Sequence, residues 1–194
     1  MPTLPDMAKL TLTSDPEADA LLSTNPLALL IGMLLDQQVP MEWAFSSPKR
    51  LEERLGKPLT AANIAGTDPD DLDAIFRDKP ALHRYPGSMA KRVHALCAHL
   101  VESWDGQADA LWRDVDTGKE LFANISSLPG YGKQKAQIFC ALLAKQLGVA
   151  PDGWQDVTGD YGKEGHRSIA DVTSPESLAE VRNFKKLKKA TTTT

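Results

Sequence analysis

A chain of 194 residues, 42% hydrophobic and 25% charged, is long enough to bury a real core as one domain or as two closely packed subdomains. Its formal net charge of −4 argues against a protein that coats nucleic acid indiscriminately, because that mode depends on many Lys/Arg–phosphate contacts. The two cysteines, Cys97 and Cys140, sit in helix-like apolar settings without partner spacing, which supports neither a disulfide framework nor a metal or iron–sulfur site.

The opening Met-Pro-Thr-Leu-Pro-Asp reads as neither a signal nor a transit peptide, and no apolar run is long enough to span a bilayer. The expectation is a reducing cytoplasm and no membrane partner. Residues 1–14 read as an irregular or partly extended lead-in. Ser14-Asp15-Pro16 caps a short helix to about Ser23, and Asn25-Pro26 caps the next. That second segment, Leu27 to Leu35, is apolar on nearly every side. It is a central core helix or a buried strand, and its Leu, Ala and Met content favours the helix. Polarity returns abruptly at Asp36-Gln37-Gln38-Val39-Pro40.

A helix from about Met41 to Leu55 carries Trp43, Phe45 and Leu51. Leu59–Ala65 and Pro69–Arg77 read as short helices, the second capped by Thr67 or Asp68. Pro80–Tyr85 is a connector. Tyr85-Pro86-Gly87 then opens a helix with Val93, Leu96, Cys97 and Leu100 on one face. Trp104–Asp116 reads as a loop with a short helix, and Thr117 caps a helix from about Gly118 to Ser126. No alternating pattern is long enough to trust as a strand, so the chain is expected to be all-α.

Residues 126–136, Ser-Ser-Leu-Pro-Gly-Tyr-Gly-Lys-Gln-Lys-Ala, are the most informative stretch. Pro129 stops one helix, glycine permits a tight reversal, and a second helix follows with Ala136, Ile138, Phe139, Leu142 and Leu143. The backbone N–H groups of Gly130-Tyr131-Gly132 and of the next helix start could approach an anion without side-chain obstruction. Such a hairpin suits a nucleic-acid phosphate; the plainer alternative is a glycine-rich loop joining two core helices. Beyond Gly148 regularity weakens. Val149–Gly165 reads as a long functional loop or mobile segment, Asp171 or Ser174 starts a last helix to about Lys189, and Thr191–Thr194 reads as disordered.

On these motifs the chain resembles the helix–hairpin–helix DNA glycosylases with a Gly/Pro-rich loop and catalytic aspartate (HhH-GPD), the endonuclease III superfamily. The similarity runs from about Pro26 to Asp152. Leu128-Pro129-Gly130-Tyr131-Gly132-Lys133-Gln134-Lys135-Ala136 stands against a family pattern Leu-Pro-Gly-x-Gly-x-Lys-Thr-Ala, supported by the apolar helix closed by Asp36-Gln37-Gln38 and by the Gly87–Lys91 helix start. The resemblance implies two helical subdomains with a DNA-binding cleft between them. It divides the chain into a lead-in (1–24), a glycosylase-like core (25–152) and a loop, last helix and basic tail (153–194).

The family's lyase-competent members carry an amine nucleophile where this chain has Gln134. An amide cannot form a Schiff base, and Lys133 and Lys135 are rotated by about 100° per residue away from that position. The resemblance therefore implies a monofunctional glycosylase that leaves an abasic site. It implies Asp152 as the catalytic carboxylate, with Asp156, Asp160 and Asp36 as fallbacks, since Pro151-Asp152-Gly153 is also a common turn and the sequence after it departs from the family's. Gln38, Gly130, Tyr131, Gly132, Lys133, Gln134 and Lys135 are the implied DNA contacts, Gln38 filling the gap left by a flipped base. Trp43, Phe45, Trp154 and Tyr161 are candidate walls for that base.

No cofactor is implied as required; the hairpin carbonyls could hold a monovalent cation, and no metal or iron–sulfur cluster is expected. The partner would be double-stranded DNA, met by a monomer associated with the nucleoid. His94 and His99 lack the one-face spacing of a metal pair, and with His83 and His166 they read as solvated polar residues. Lys185-Lys186-Leu187-Lys188-Lys189 reads as a solvated helix end able to add phosphate contacts. Two other readings stay open: a non-catalytic helix–hairpin–helix DNA-binding module, and a protein-interaction helical domain with a chance Pro-Gly-x-Gly turn.

Overall fold

The computed structural model describes residues 9–193. The first eight residues of the expected lead-in, and Thr194, lie outside them. Among the described residues there is no strand, and the all-α expectation holds. The helices are α1 (Pro16–Thr24), α2 (Pro26–Leu35), α3 (Met41–Leu55), α4 (Ala61–Ala65), α5 (Pro69–Arg77), α6 (Pro86–Trp104), α7 (Gly118–Ser126), α8 (Lys133–Leu147), α9 (Trp154–Thr158) and α10 (Pro175–Thr192), with 3-10 turns at Ala108–Leu111, Gly159–Gly162 and Ile169–Asp171. No single helix is long and apolar enough to cross a membrane.

Capping chemistry sets most of these starts. Asp15 accepts from the N–H groups of Glu17 and Ala18, and Asn25 from those of Leu27 and Ala28, each just before a proline at the first helical turn. This satisfies amides that have no partner within the helix. The Asn25 amide also donates to the Leu59 carbonyl at 3.0 Å, so the α2 cap is fastened to the segment before α4. Buried Asp19 accepts from the N–H groups of Leu12 and Thr13 and so draws the lead-in onto α1.

Every residue from Leu27 to Leu35 is buried. Full burial is worth about 1.5–3 kcal/mol per Leu, Ile or Met side chain, which makes α2 the centre of the core. Helices α1, α3 and α6 pack against α2, with α4 and α5 on α6, and α7 to α9 with the two later 3-10 turns pack around α8; α10 rests on the Ile169–Asp171 turn. The two groups meet where α2 touches α8 and where the Ala108–Leu111 turn bridges α2, α6 and α7. One continuous hydrophobic cluster runs through both.

Helix α2 ends inside this packing, so its last carbonyls need partners that water cannot supply. Lys135 and His83 meet them, and Tyr131 bonds a carbonyl one turn earlier. The Tyr131 hydroxyl donates to the Leu30 carbonyl at 2.6 Å. The Lys135 ammonium donates to the Met33 and Leu34 carbonyls at 2.8 and 2.7 Å. The His83 ring nitrogen Nε2 lies 3.1 Å from the Leu35 carbonyl and 3.0 Å from that of Gln37. His83 is therefore fully buried, which corrects its reading as a solvated residue.

Two other expectations change. Val149–Gly165 is not an irregular segment: it holds α9 and the Gly159–Gly162 turn, with the glycines as joints between short helical pieces. The last helix begins at Pro175 behind the Ser174 cap and continues through Thr192, so Thr191 and Thr192 are helical.

Candidate functional site

The hairpin consists of α7, a turn and α8. Gly130 takes φ +85°, a conformation open to glycine and strained for other residues, and a side chain there would run into Leu34 of α2. Gly132 is different. Its φ of −76° is ordinary, and nothing lies within 4 Å of where a Cβ would stand. Gly132 precedes α8 with no side-chain cap, so the first N–H groups of α8 are left for water or an anion. Lys133 beside it is exposed and forms no ion pair among the described residues.

Tyr131 and Lys135 turn inward. Tyr131 is 4% exposed, its hydroxyl held by Leu30 and its ring edge-on to Phe139 at 5.9 Å between centroids. Its side chain fastens the turn onto α2 and does not face outward. Lys135 likewise spends its ammonium on α2 carbonyls rather than on an outside phosphate. Burial lowers its pKa to about 8, against the opposing pull of nearby Asp36. Gln134 is exposed, and its amide donates to the Tyr161 hydroxyl at 2.8 Å.

The segment after α2 lies beside these residues. The Asp36 side chain is 8% exposed and stands 3.7 Å from the Lys185 ammonium. Burial raises its pKa, opposed by Lys185 and Lys135. Gln38 is exposed with φ +56°, one of two non-glycine residues in left-handed backbone among the described residues. That conformation costs about 1–2 kcal/mol, here at a residue whose side chain makes no hydrogen bond among the described residues.

Asp152 is exposed and its carboxylate has no partner among the described residues. Its backbone is tightly held: its N–H donates to the Asp116 carbonyl at 3.2 Å and its carbonyl accepts from the Gly118 N–H at 2.7 Å. This parallel bridge of Asp152 with Thr117 sets Asp152 at the start of α7. Of the other acids, Asp156 is exposed, Asp160 is paired with Lys163 at 2.6 Å, and Asp36 is buried as described. Among the proposed base walls, Phe45 is a core residue, 0% exposed. Trp43 bonds the Ala81 carbonyl at 3.2 Å, Trp154 packs near Gly118 and Gly162, and Tyr161 reaches Gln134 at the start of α8.

The sequence reading gave the last helix but missed where α10 packs. Its inner face buries Leu178 and Val181. Its outer half then crosses to the α2–α3 region, with Lys185 at Asp36 and Arg182 paired with Glu42 of α3. Lys188 lies 5.5 Å over the Tyr161 ring, and Arg167 lies 5.9 Å over the Phe184 ring. The spacing of Leu178, Val181 and Phe184 behind the Ser174 cap was the signal for a packed helix rather than a solvated tail.

Among the described residues no group of three or more His, Cys, Asp or Glu could hold a metal ion. Cys97 and Cys140 are separate, buried free thiols. The family model described as HhH-GPD superfamily base excision DNA repair protein matches residues 31–194. No match was found among the curated proteins or among the solved structures.

Proposed function

Given that this chain belongs to the HhH-GPD superfamily of base excision DNA repair proteins, we propose that it is a monofunctional DNA glycosylase acting on duplex DNA. The observation that carries this reading is Gln134. It occupies the position of the family's amine nucleophile with an amide that donates to Tyr161, while the neighbouring Lys135 amine is committed to α2 carbonyls. Neither offers the free amine that imine chemistry needs.

In this reading a phosphate binds at the Gly132 N–H and the first turn of α8, with Lys133 alongside. The target base leaves the stack, because a stacked nucleoside hides its glycosidic bond, and Gln38 occupies the gap. The C1′–N bond breaks and water adds to C1′, giving up its proton to the Asp152 carboxylate, while the departing base takes up a proton. Asp152 also stabilises the positive charge that develops on the sugar. Support for its role is its backbone: a bridge to Thr117 holds the acid in fixed relation to the hairpin.

A monovalent cation on the hairpin belongs to the same proposal. The Ile125 and Leu128 carbonyls each accept backbone N–H groups, and a carbonyl keeps a second lone pair only when one is accepted. Leu128 therefore fits such an ion better than Ile125, which already accepts from Ser127 and Leu128. The ion would add positive charge toward the phosphate. The working form is taken to be a monomer associated with the nucleoid in the cytoplasm.

The test is base release from duplexes bearing alkylated, deaminated, oxidised or mismatched bases, followed with and without alkali, for wild type and Asp152→Asn. Release that needs alkali for strand scission and is lost in the variant is expected. Scission without alkali would overturn the monofunctional reading, and release surviving in Asp152→Asn would move the role to another acid. The second reading, a binding module without catalysis, is favoured by the unpartnered, exposed Asp152 carboxylate. Salt-sensitive duplex binding with no release on any lesion would select it.

A further inference from the structure

Beside Gln134 lies a cavity of about 340 Å³ lined by Asp160, Tyr161, Arg167, Phe184, Leu187 and Lys188, among others. That is near the small end of ordinary small-molecule sites, about 300–1,000 Å³, and leaves room for one planar base. Two of its walls are aromatic and half-buried, Tyr161 and Phe184. Leu187 at its rim is 68% exposed, the most exposed large hydrophobic side chain among the described residues. The cavity adjoins the hairpin, because the Tyr161 hydroxyl is bonded to Gln134, two residues from Gly132. A second cavity, about 460 Å³ against Trp43 and residues 79–81, touches no hairpin residue.

The charges around the cavity are unequal. Lys188 and Arg167 each stand over one of the aromatic rings. The single acid, Asp160, is already paired with Lys163 at 2.6 Å. A planar guest therefore meets two aromatic walls, each with a cation over one of its faces, and an excess of positive charge. A neutral base with carbonyl oxygens can stack on the rings and accept from Lys188 and Arg167 at its edge. A cationic N-alkylated purine would stack as well, but it would be repelled by both cations.

We propose that this cavity receives the flipped base, and that its cationic rim selects neutral, carbonyl-bearing lesions of the deaminated or oxidised kind over cationic alkylated ones. The proposal rests on the glycosylase reading for its occupant, so its test reads binding rather than turnover. Duplexes carrying uracil, hypoxanthine or 7-methylguanine on 2′-fluoroarabinose, which resists hydrolysis, are compared with an undamaged duplex by fluorescence anisotropy. Wild type, Tyr161→Ala, Tyr161→Phe, Phe184→Leu and Lys188→Gln are measured, each first checked for a native melting transition.

Aromatic stacking on a base is worth roughly fivefold to a hundredfold in affinity. Uracil or hypoxanthine duplexes should bind wild type about tenfold more tightly than undamaged DNA, and the 7-methylguanine duplex should gain nothing. Tyr161→Ala and Phe184→Leu should erase that preference. Tyr161→Phe keeps the ring and should keep the preference. Lys188→Gln should narrow the gap between neutral and cationic lesions. Equal affinity for all duplexes, a preference for 7-methylguanine, or a preference that survives both aromatic substitutions would overturn the proposal. Lesion-selective binding without base release would sink the glycosylase reading and leave the pocket standing; base release indifferent to Tyr161 and Phe184 would do the reverse.

Discussion

Gly130 and Gly132 sit two residues apart in one turn, yet alanine should act on them in opposite ways. At Gly130, φ is +85° and a Cβ meets the Leu34 side chain. Left-handed backbone costs an L-residue about 1–2 kcal/mol, and overpacking a full core costs about 1–3 kcal/mol. Some strain relaxes, so Gly130→Ala should lose about 2–4 kcal/mol. For a chain of this size that is a fall in Tm on the order of 5–15 °C. At Gly132 the backbone is ordinary and the space is open. Alanine there reduces the freedom of the unfolded chain, a gain of about 0.4–1 kcal/mol, offset by a poorer helix cap. The net change should stay within about 1 kcal/mol. Duplex affinity should nonetheless fall, by about fivefold or more, because a methyl group then stands where the phosphate must approach the first N–H groups of α8. Calorimetric Tm and low-salt anisotropy on the two purified variants decide it. A stable Gly132→Ala protein with wild-type duplex affinity would refute the assignment of this glycine to an outside ligand.

Three further expectations are simpler to state. Lys135 has its pKa lowered to about 8 by burial against an ordinary value near 10.5, so between those pH values the unfolded chain holds a proton that the folded one has released. Stability should therefore rise with pH across that window relative to Lys135→Met, by up to about 3 kcal/mol; parallel urea midpoints for the two proteins at pH 8 and 10.5 would contradict this. Tyr131→Phe removes a buried hydrogen bond to the Leu30 carbonyl and should cost about 0.5–1.5 kcal/mol, read as a lower urea midpoint at unchanged slope. Cys97 and Cys140 are buried, and burial pushes the Cys140 thiol up to about 12 and the Cys97 thiol higher still. Neither should react with a thiol reagent at pH 8 until the protein is unfolded, and fast stoichiometric labelling of the native chain would contradict the packing.

The helix starts were legible in the sequence because their signals are local. Asp15, Asn25, Thr117 and Ser174 each cap the helix they announce, using side chains that reach only two or three residues along the chain. The hairpin was legible for the same reason, as Pro129 and Gly130 dictate the reversal wherever they occur. Lys135, His83 and Tyr131 were not, since their partners lie 46 to 102 residues away on α2 and its end. Nothing near Lys135 in sequence says that it faces carbonyls instead of solvent. The segment from Val149 to Gly165 misled for a different reason: a high density of glycine marks joints, and joints can connect short helices as readily as they loosen a loop. Most of the assembled site depends on α10 folding back, which a run of lysines conceals.

The backbone pairing of Asp152 with Thr117 turns the hairpin into a closed circuit of chain, one end hydrogen-bonded to the other around α7, the turn and α8. Length inside such a circuit is not free to drift. One residue gained or lost within α8 would rotate everything beyond it by about 100° and shift it by about 1.5 Å, breaking either the bridge or the seat of Tyr131 on α2. Outside the circuit, at the exposed residues 56–58, the same change would only lengthen a surface segment. Insertions and deletions in this protein's descendants should therefore respect one uninterrupted stretch, from Thr117 to Asp152, as a reading frame imposed by geometry.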